Sequence, residues 1–303
     1  KKEEDIYDGG LGNYRWSPDS KEIMAGPYRG RVWLFEPDGT GLRPLIDSNE
    51  GVGGAQYSPD GKVIGFTRGQ NVFRIDRMTG AIKQLTFLSK ANTSLEAFEW
   101  SPDGKSLFVY WESSAKTGRH VMMDFSKEKA EVVNIRRMWH GEMSMDAQIG
   151  IVDAEGGLIK FVENLPRYMW PTSWSWAPDS SKIAVFWIKE DFQEATVTVV
   201  NASSAKKEDV YVERAPKNYV PDFRNVAWTR DSQRILFTTD IRDGKFINRS
   251  LFSMLASGQD VRAVYAENHD IAGFHRPKDS DRVFLVTQAR SYLDKTLEHH
   301  PNH

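Results

Sequence analysis

The chain has 303 residues, with 40 Lys plus Arg against 42 Asp plus Glu and a formal net charge of −2, a balance that leaves no basic footprint for nucleic acid. It contains no Cys, which excludes thiolate nucleophiles, Cys-ligated zinc and disulfides. Hydrophobic residues make up 40% and aromatic residues 12%, with 10 Trp, enough for a sizeable core, and no apolar run reaches the roughly 18 residues of a membrane span.

The opening Lys1-Lys2-Glu3-Glu4-Asp5 lacks an initiator Met and a signal-peptide pattern, so the chain is expected to be a mature or excised piece of something longer. Trp16-Ser17-Pro18-Asp19-Ser20 then begins a pattern that returns five times. The later starts are Tyr57-Ser58-Pro59-Asp60-Gly61, Trp100-Ser101-Pro102-Asp103-Gly104, Trp176-Ala177-Pro178-Asp179-Ser180, Trp228-Thr229-Arg230-Asp231-Ser232 and His275-Arg276-Pro277-Lys278-Asp279. The intervals are 41, 43, 76, 52 and 47 residues, and a period of roughly 40 to 50 is that of a propeller blade. Proline presets φ for the first central position of a turn, while Asp caps it and Gly accepts positive φ. The aromatic residue ahead of the turn ends one strand and has the area to fill the gap to a neighbouring sheet. Trp16, Trp100, Trp176 and Trp228 are therefore read as packing residues.

Short strands follow each start. Behind the second come Val63 to Thr67, Asn71 to Asp76 and Ile82 to Thr86, separated by Gly, Asp and Asn; Lys182 to Ile188, Ala195 to Asn201 and Asp209 to Glu213 repeat the pattern, as do Arg234 to Thr239, Ser250 to Leu255 and Val261 to Ala266. No window shows a clean helical period. The long third interval holds more segments than a blade needs: His120 to Phe125, Ala130 to Ile135, Gln148 to Asp153 and Leu158 to Glu163. It is either an insertion, giving six blades, or a blade without its turn signature, giving seven. The expected fold is an all-β propeller of four-stranded antiparallel blades, six or seven in number with seven preferred. It would span residues 1–290, with a tail at 291–303 and the irregular part at about 113–165. Strands from Lys1 to Gly10 would complete the short last repeat, because open sheet edges invite aggregation.

Candidate sites concentrate where the repeat breaks. Arg136, Arg137, Trp139, Arg167, Tyr168 and Trp170 cluster around the irregular interval, and Trp, Tyr and Arg dominate binding hot spots. His140, His269 and His275 are metal-ligand candidates if their loops converge, against the ordinary reading of loop histidines. The terminal His299-His300-Pro301-Asn302-His303 binds metal weakly in any fold. Asn92-Thr93-Ser94, Asn201-Ala202-Ser203 and Asn248-Arg249-Ser250 match glycosylation acceptors.

The Trp-Ser-Pro-Asp-Gly-Lys turn, its following strand and the "Leu-Thr" ending at Leu85-Thr86 resemble the WD-like repeat of TolB-type propellers. They equally resemble the N-terminal propeller of the dipeptidyl peptidase IV branch of the prolyl oligopeptidase family. That resemblance implies a propeller that gates a separate α/β-hydrolase domain bearing a Ser-His-Asp triad. The hydrolase elbow Gly-x-Ser-x-Gly does not occur, since Gly141-Glu142-Met143-Ser144-Met145 lacks the second Gly. The branch's amine-binding Asp-Trp-x-x-Glu-Glu is likewise missing, with Glu96 and Glu99 near a Trp at a different spacing. No catalytic residue is assigned and no cofactor is expected. A protein or peptide partner is expected, with no nucleic acid, no membrane insertion and a fused or separate hydrolase domain. The chain alone reads as a non-catalytic binding propeller. Its alternatives are the gating propeller of a serine peptidase and a metal-dependent propeller polysaccharide lyase. A periplasmic or secreted location is expected over a cytoplasmic one.

Overall fold

The computed structural model describes residues 14–28, 30–47, 51–114, 119–126, 129–136, 146–165, 169–189, 193–215, 225–267, 269–278 and 280–287. Four of the repeats build their turn in the same way. In the second, the Ser58 hydroxyl donates to Asp60 Oδ1 at 2.7 Å and accepts the Val63 N–H at 3.2 Å, while Asp60 Oδ1 accepts the Lys62 N–H at 3.1 Å. The third and fifth repeats copy this through Ser101 with Asp103 and Thr229 with Asp231. In the fourth, Ala177 has no hydroxyl and Ser181 Oγ donates to Asp179 Oδ1 instead, at 2.7 Å. The chain reverses through positive φ at Ser20, Gly61, Gly104, Ser180 and Ser232. Glycine takes that conformation without cost and serine does not.

The strands these turns join form antiparallel meanders, and among the described residues there is no helix. Contacts divide the chain into two compact units, 1–167 and 168–303. In the first unit, β1 (Tyr14–Trp16), β2 (Ile23–Tyr28), β3 (Arg31–Phe35) and β4 (Arg43–Asp47) form one sheet. A second contains β5 (Val52–Tyr57), β6 (Val63–Arg68), β7 (Asn71–Asp76) and β8 (Ile82–Gln84). The third starts with β9 (Thr93–Trp100) and β10 (Ser106–Ser113) and is interrupted by a separate hairpin, β11 (Arg119–Asp124) with β12 (Glu131–Arg136). It resumes with β13 (Asp146–Asp153), which pairs with β10 along its whole length, and ends with β14 (Lys160–Phe161). The long interval is thus an insertion into one sheet.

In the second unit, β15 (Met169–Trp176), β16 (Lys182–Lys189), β17 (Glu194–Asn201) and β18 (Lys207–Arg214) make a fourth sheet. The fifth contains β19 (Val226–Trp228), β20 (Arg234–Arg242), β21 (Lys245–Leu255) and β22 (Arg262–Tyr265), and β23 (Ile271–His275) pairs with β24 (Phe284–Thr287). The described residues show five four-stranded sheets, the β23–β24 pair and the inserted β11–β12 hairpin, which is compatible with the six or seven blades expected. The fold is an all-β propeller architecture. Residues 1–13 and 288–303, including the expected closing strand and the histidine tail, lie outside the described residues.

Core forms between neighbouring sheets rather than within one. Phe186, Val197, Trp228, Ile235 and Phe237 join the fourth sheet to the fifth, and Leu85, Phe98, Trp100 and Trp111 join the second to the third. Trp228 Nε1 also donates to the Ser175 carbonyl on the preceding sheet at 2.9 Å. Trp100, Trp176 and Trp228 are buried, as their repeat position requires, but Trp16 is 51% exposed. Its strand opens the first unit, so among that unit's described residues no earlier sheet lies against it. Trp111 and Trp187, which stand outside the repeat position, are fully buried core residues on β10 and β16.

Candidate functional site

The sequence-expected binding face lies mostly outside the described residues: Arg137, Trp139, Arg167 and Tyr168 are there, together with the metal candidate His140. Arg136 is the last residue of β12, in register with Arg119, and Trp170 stands opposite Ile188 on β15. His269 and His275 are both exposed, His275 being in register with Phe284. Among the described residues no group of three or more His, Asp or Glu is placed to hold a metal ion.

A different arrangement stands out in the third sheet, where the hairpin leaves it. The β10 strand reads Leu107-Phe108-Val109-Tyr110-Trp111 and is buried throughout, yet it carries Glu112 at its end. Side chains two apart share a face of a strand, and the Tyr110 hydroxyl donates to Glu112 Oε1. Burial pushes the Glu112 carboxyl above the usual glutamate range, and the negative charge of Glu96 pushes the same way, against the hydrogen bond from Tyr110. Burial also raises the Tyr110 phenol, with the Glu112 bond and charge adding to it. Glu96 comes from β9, where the pairing with β10 shifts between Tyr110 and Trp111. That bulge leaves Glu96 without a register partner, and bulges re-aim side chains in this way. Glu96 Oε1 also accepts the Ser94 hydroxyl.

A half-buried carboxylate held up by a second carboxylate has a definite chemistry. It gains from a cationic ligand, which offsets the desolvation of Glu112 and the repulsion from the exposed Glu96. Sequence reasoning noted Glu96 and passed over Glu112. The signal was available: an acidic residue closing an otherwise apolar strand run is unusual and needs a partner. A related pair, Tyr211 donating to Glu213 at 2.7 Å, occurs on β18 of the second unit. There Glu213 also accepts the Gly244 N–H at 3.3 Å, so that carboxylate is engaged within the sheet edge.

Residues 11–271 match the model of the dipeptidyl peptidase IV N-terminal region, and the chain belongs to that family. Its fold is similar to that of Porphyromonas gingivalis dipeptidyl peptidase 4, with a TM-score of 0.69 and 16% identity, over 91% of this chain and 42% of that one. It is also similar to a Bacteroides ovatus protein described as a dipeptidyl aminopeptidase IV, with a TM-score of 0.64 and 16% identity, over 84% and 39% of the two chains. An Agrobacterium tumefaciens protein described as TolB aligns with a TM-score of 0.47 and 14% identity, over 87% and 79%. The chain spans about two fifths of the length of the two peptidase structures it matches.

Proposed function

We propose that this propeller is the substrate-recognising part of a dipeptidyl peptidase-type serine hydrolase, and that it binds peptides by their cationic amino end without cleaving them. The observation that carries the reading is the half-buried Glu112 carboxyl, hydrogen-bonded by Tyr110 and raised by burial and by the charge of Glu96, at the root of the inserted hairpin. The similar solved structures are described as a dipeptidyl peptidase and a dipeptidyl aminopeptidase, enzymes that must engage a free peptide amine. An α-amino group titrates near about 7.7–8.0 and is largely cationic at neutral pH, so it supplies the charge that the carboxylates require. Cleavage belongs in this reading to an α/β-hydrolase part carrying the nucleophile.

The test separates binding from catalysis. The chain is titrated into a C-terminally labelled peptide with a free amino end, followed by fluorescence anisotropy, and the same mixture is assayed for released dipeptide. Saturable binding with no released product is the expected result. Product formation by the purified chain would sink the non-catalytic reading, and absence of binding at millimolar chain would sink the recognition reading.

A further inference from the structure

Between β8 and β9 the chain is held by side chains rather than by a neighbouring strand. Gln70 Oε1 accepts the Lys90 N–H at 2.9 Å, and Gln70 Nε2 donates to the Lys90 carbonyl at 2.7 Å. The next side chain repeats the clamp two residues back: Asn71 Oδ1 accepts the Leu88 N–H at 2.6 Å, and Asn71 Nδ2 donates to the Leu88 carbonyl at 3.0 Å. Residues two apart that present both backbone groups to one side have the geometry of a strand. The backbone groups of Leu88 and Lys90 therefore face the second sheet, and those of Phe87 and Ser89 face away from it. Among the described residues the N–H and C=O groups of Phe87 and Ser89 have no hydrogen-bond partner. Phe87 is 71% exposed and Ser89 is exposed beside it. A segment with one edge satisfied and the other open is a template for an added strand.

The segment leads directly to the candidate site. The Gln70 carbonyl accepts Trp111 Nε1 at 2.8 Å, and the Asn92 carbonyl accepts the Ser114 N–H at 2.8 Å. The clamp and the end of the segment are thus tied to residues on both sides of Glu112. Ser94, near the start of β9, stands opposite Glu112 in the register. Ser89 precedes Ser94 by five residues, a path of at most about 18 Å, and a peptide strand covers that distance in about five residues. A peptide with its cationic amino end at Glu112 and its chain directed towards Phe87 runs antiparallel to the segment.

We propose that residues 87–90 are a strand-addition edge for the bound peptide: the main chain behind the recognised amino end pairs antiparallel with Phe87 and Ser89, and Phe87 packs on a peptide side chain. Main-chain pairing reads no side chains, so the ligand class is an extended amino-terminal segment of about six residues or more without proline at the paired positions. The direction of the bound peptide rests on the reading of Glu112 as its amine anchor.

The test uses the full chain and a peptide of about eight residues with a free amino end and a C-terminal fluorophore, followed by anisotropy. The peptide is made as the parent, as its N-acetylated form, and as a set carrying one N-methyl group at each backbone nitrogen in turn. N-methylation is expected to weaken binding to wild type about tenfold at two positions two residues apart, and to spare the position between them, because only alternate N–H groups meet the edge. Ser89→Pro removes an N–H that has no partner in the fold, and the extended Leu88 ahead of it suits a following proline. That variant is expected to keep the wild-type urea midpoint and the preference for a free amine while losing about tenfold in affinity for the parent peptide. Equal tolerance or equal loss at successive N-methyl positions, with the free-amine preference intact, would overturn the edge and leave the Glu112 reading standing. Alternating losses without any free-amine preference would support the edge and overturn the Glu112 reading instead.

Discussion

A Cβ atom placed on Gly258 would stand 1.8 Å from the carbonyl oxygen of Val210. Gly258 lies in the turn from β21 to β22, at φ +81°, and Val210 belongs to β18 of the preceding sheet. Gly156, in the corresponding turn between β13 and β14, meets the Leu85 backbone in the same manner at 3.1 Å. Neighbouring sheets therefore touch backbone to backbone at these turns, and only glycine allows it. Gly258→Ala is expected to destabilise the fold by more than about 3 kcal/mol, in the range reserved for overpacking and strain. Gly244→Ala has a similar φ of +68° but open space around it, and is expected to cost only about 1 kcal/mol. Urea unfolding of the two variants against wild type checks the difference.

The repeated turns offer a stabilising change. Ser20 holds φ +58° at the position where Gly61 and Gly104 take the same conformation, and its side chain is exposed. Ser20→Gly is expected to stabilise by up to about 1 kcal/mol, the relief of left-handed strain being partly offset by greater freedom in the unfolded chain. Ser232→Gly should gain less, because Ser232 Oγ accepts the Asp179 N–H at 3.1 Å and so joins the turns of two sheets. Thermal unfolding midpoints of the two variants give the comparison.

Acid stability follows from the same turns. Asp19 is held below its ordinary range, mainly by the Ser17 hydroxyl, and Asp231 likewise by the Thr229 hydroxyl. A carboxylate with a depressed folded-state pKa contributes stability above its unfolded pKa, and that contribution is lost as pH falls through the folded value. The contribution of these two aspartates is therefore expected to be flat above the ordinary aspartate range and to decline only below it. Thr229→Val removes the hydroxyl, returns Asp231 towards its ordinary range and should shrink the Asp231-dependent decline, read by urea unfolding at a series of pH values.

Glu112 carries the opposite sign. Its raised pKa means the neutral carboxyl is favoured in the fold, so its contribution is fully present below the ordinary glutamate range and is lost as pH rises through the folded value. Glu112→Gln is expected to leave the chain at least as stable as wild type at neutral pH and to flatten that part of the pH profile. Ligand binding should run the other way in wild type. Affinity for a free-amine peptide is expected to rise as Glu112 ionises and to fall again as the peptide amine loses its proton, giving a bell-shaped profile.

The turns were readable in the sequence because every part of their physics is local. Ser58, Pro59, Asp60 and Gly61 fix one reversal among themselves, so the repeated copies announced a succession of sheets. The four segments of the long interval were also found, as β11 to β14, but whether they made a blade or an insertion depended on β10 pairing with β13, a contact between distant residues. The candidate site was hidden for a similar reason. Glu112 ends an apolar run and Glu96 arrives from another strand through a bulge, so their proximity is a property of register. Trp111 and Trp187, set apart from the repeat Trp by sequence position, proved to be core because strand alternation and sheet packing decide burial.

The most direct measurement compares free and N-acetylated forms of one labelled peptide, titrated at neutral pH against wild-type chain and Glu112→Gln. Wild type is expected to bind the free amine at least about tenfold more tightly than the acetylated form, a difference of about 1.4 kcal/mol. Glu112→Gln is expected to lose most of that preference while keeping its fold. Equal affinity of the wild-type chain for both peptides, or an undiminished preference in Glu112→Gln, would contradict the assignment of this carboxylate to amine recognition.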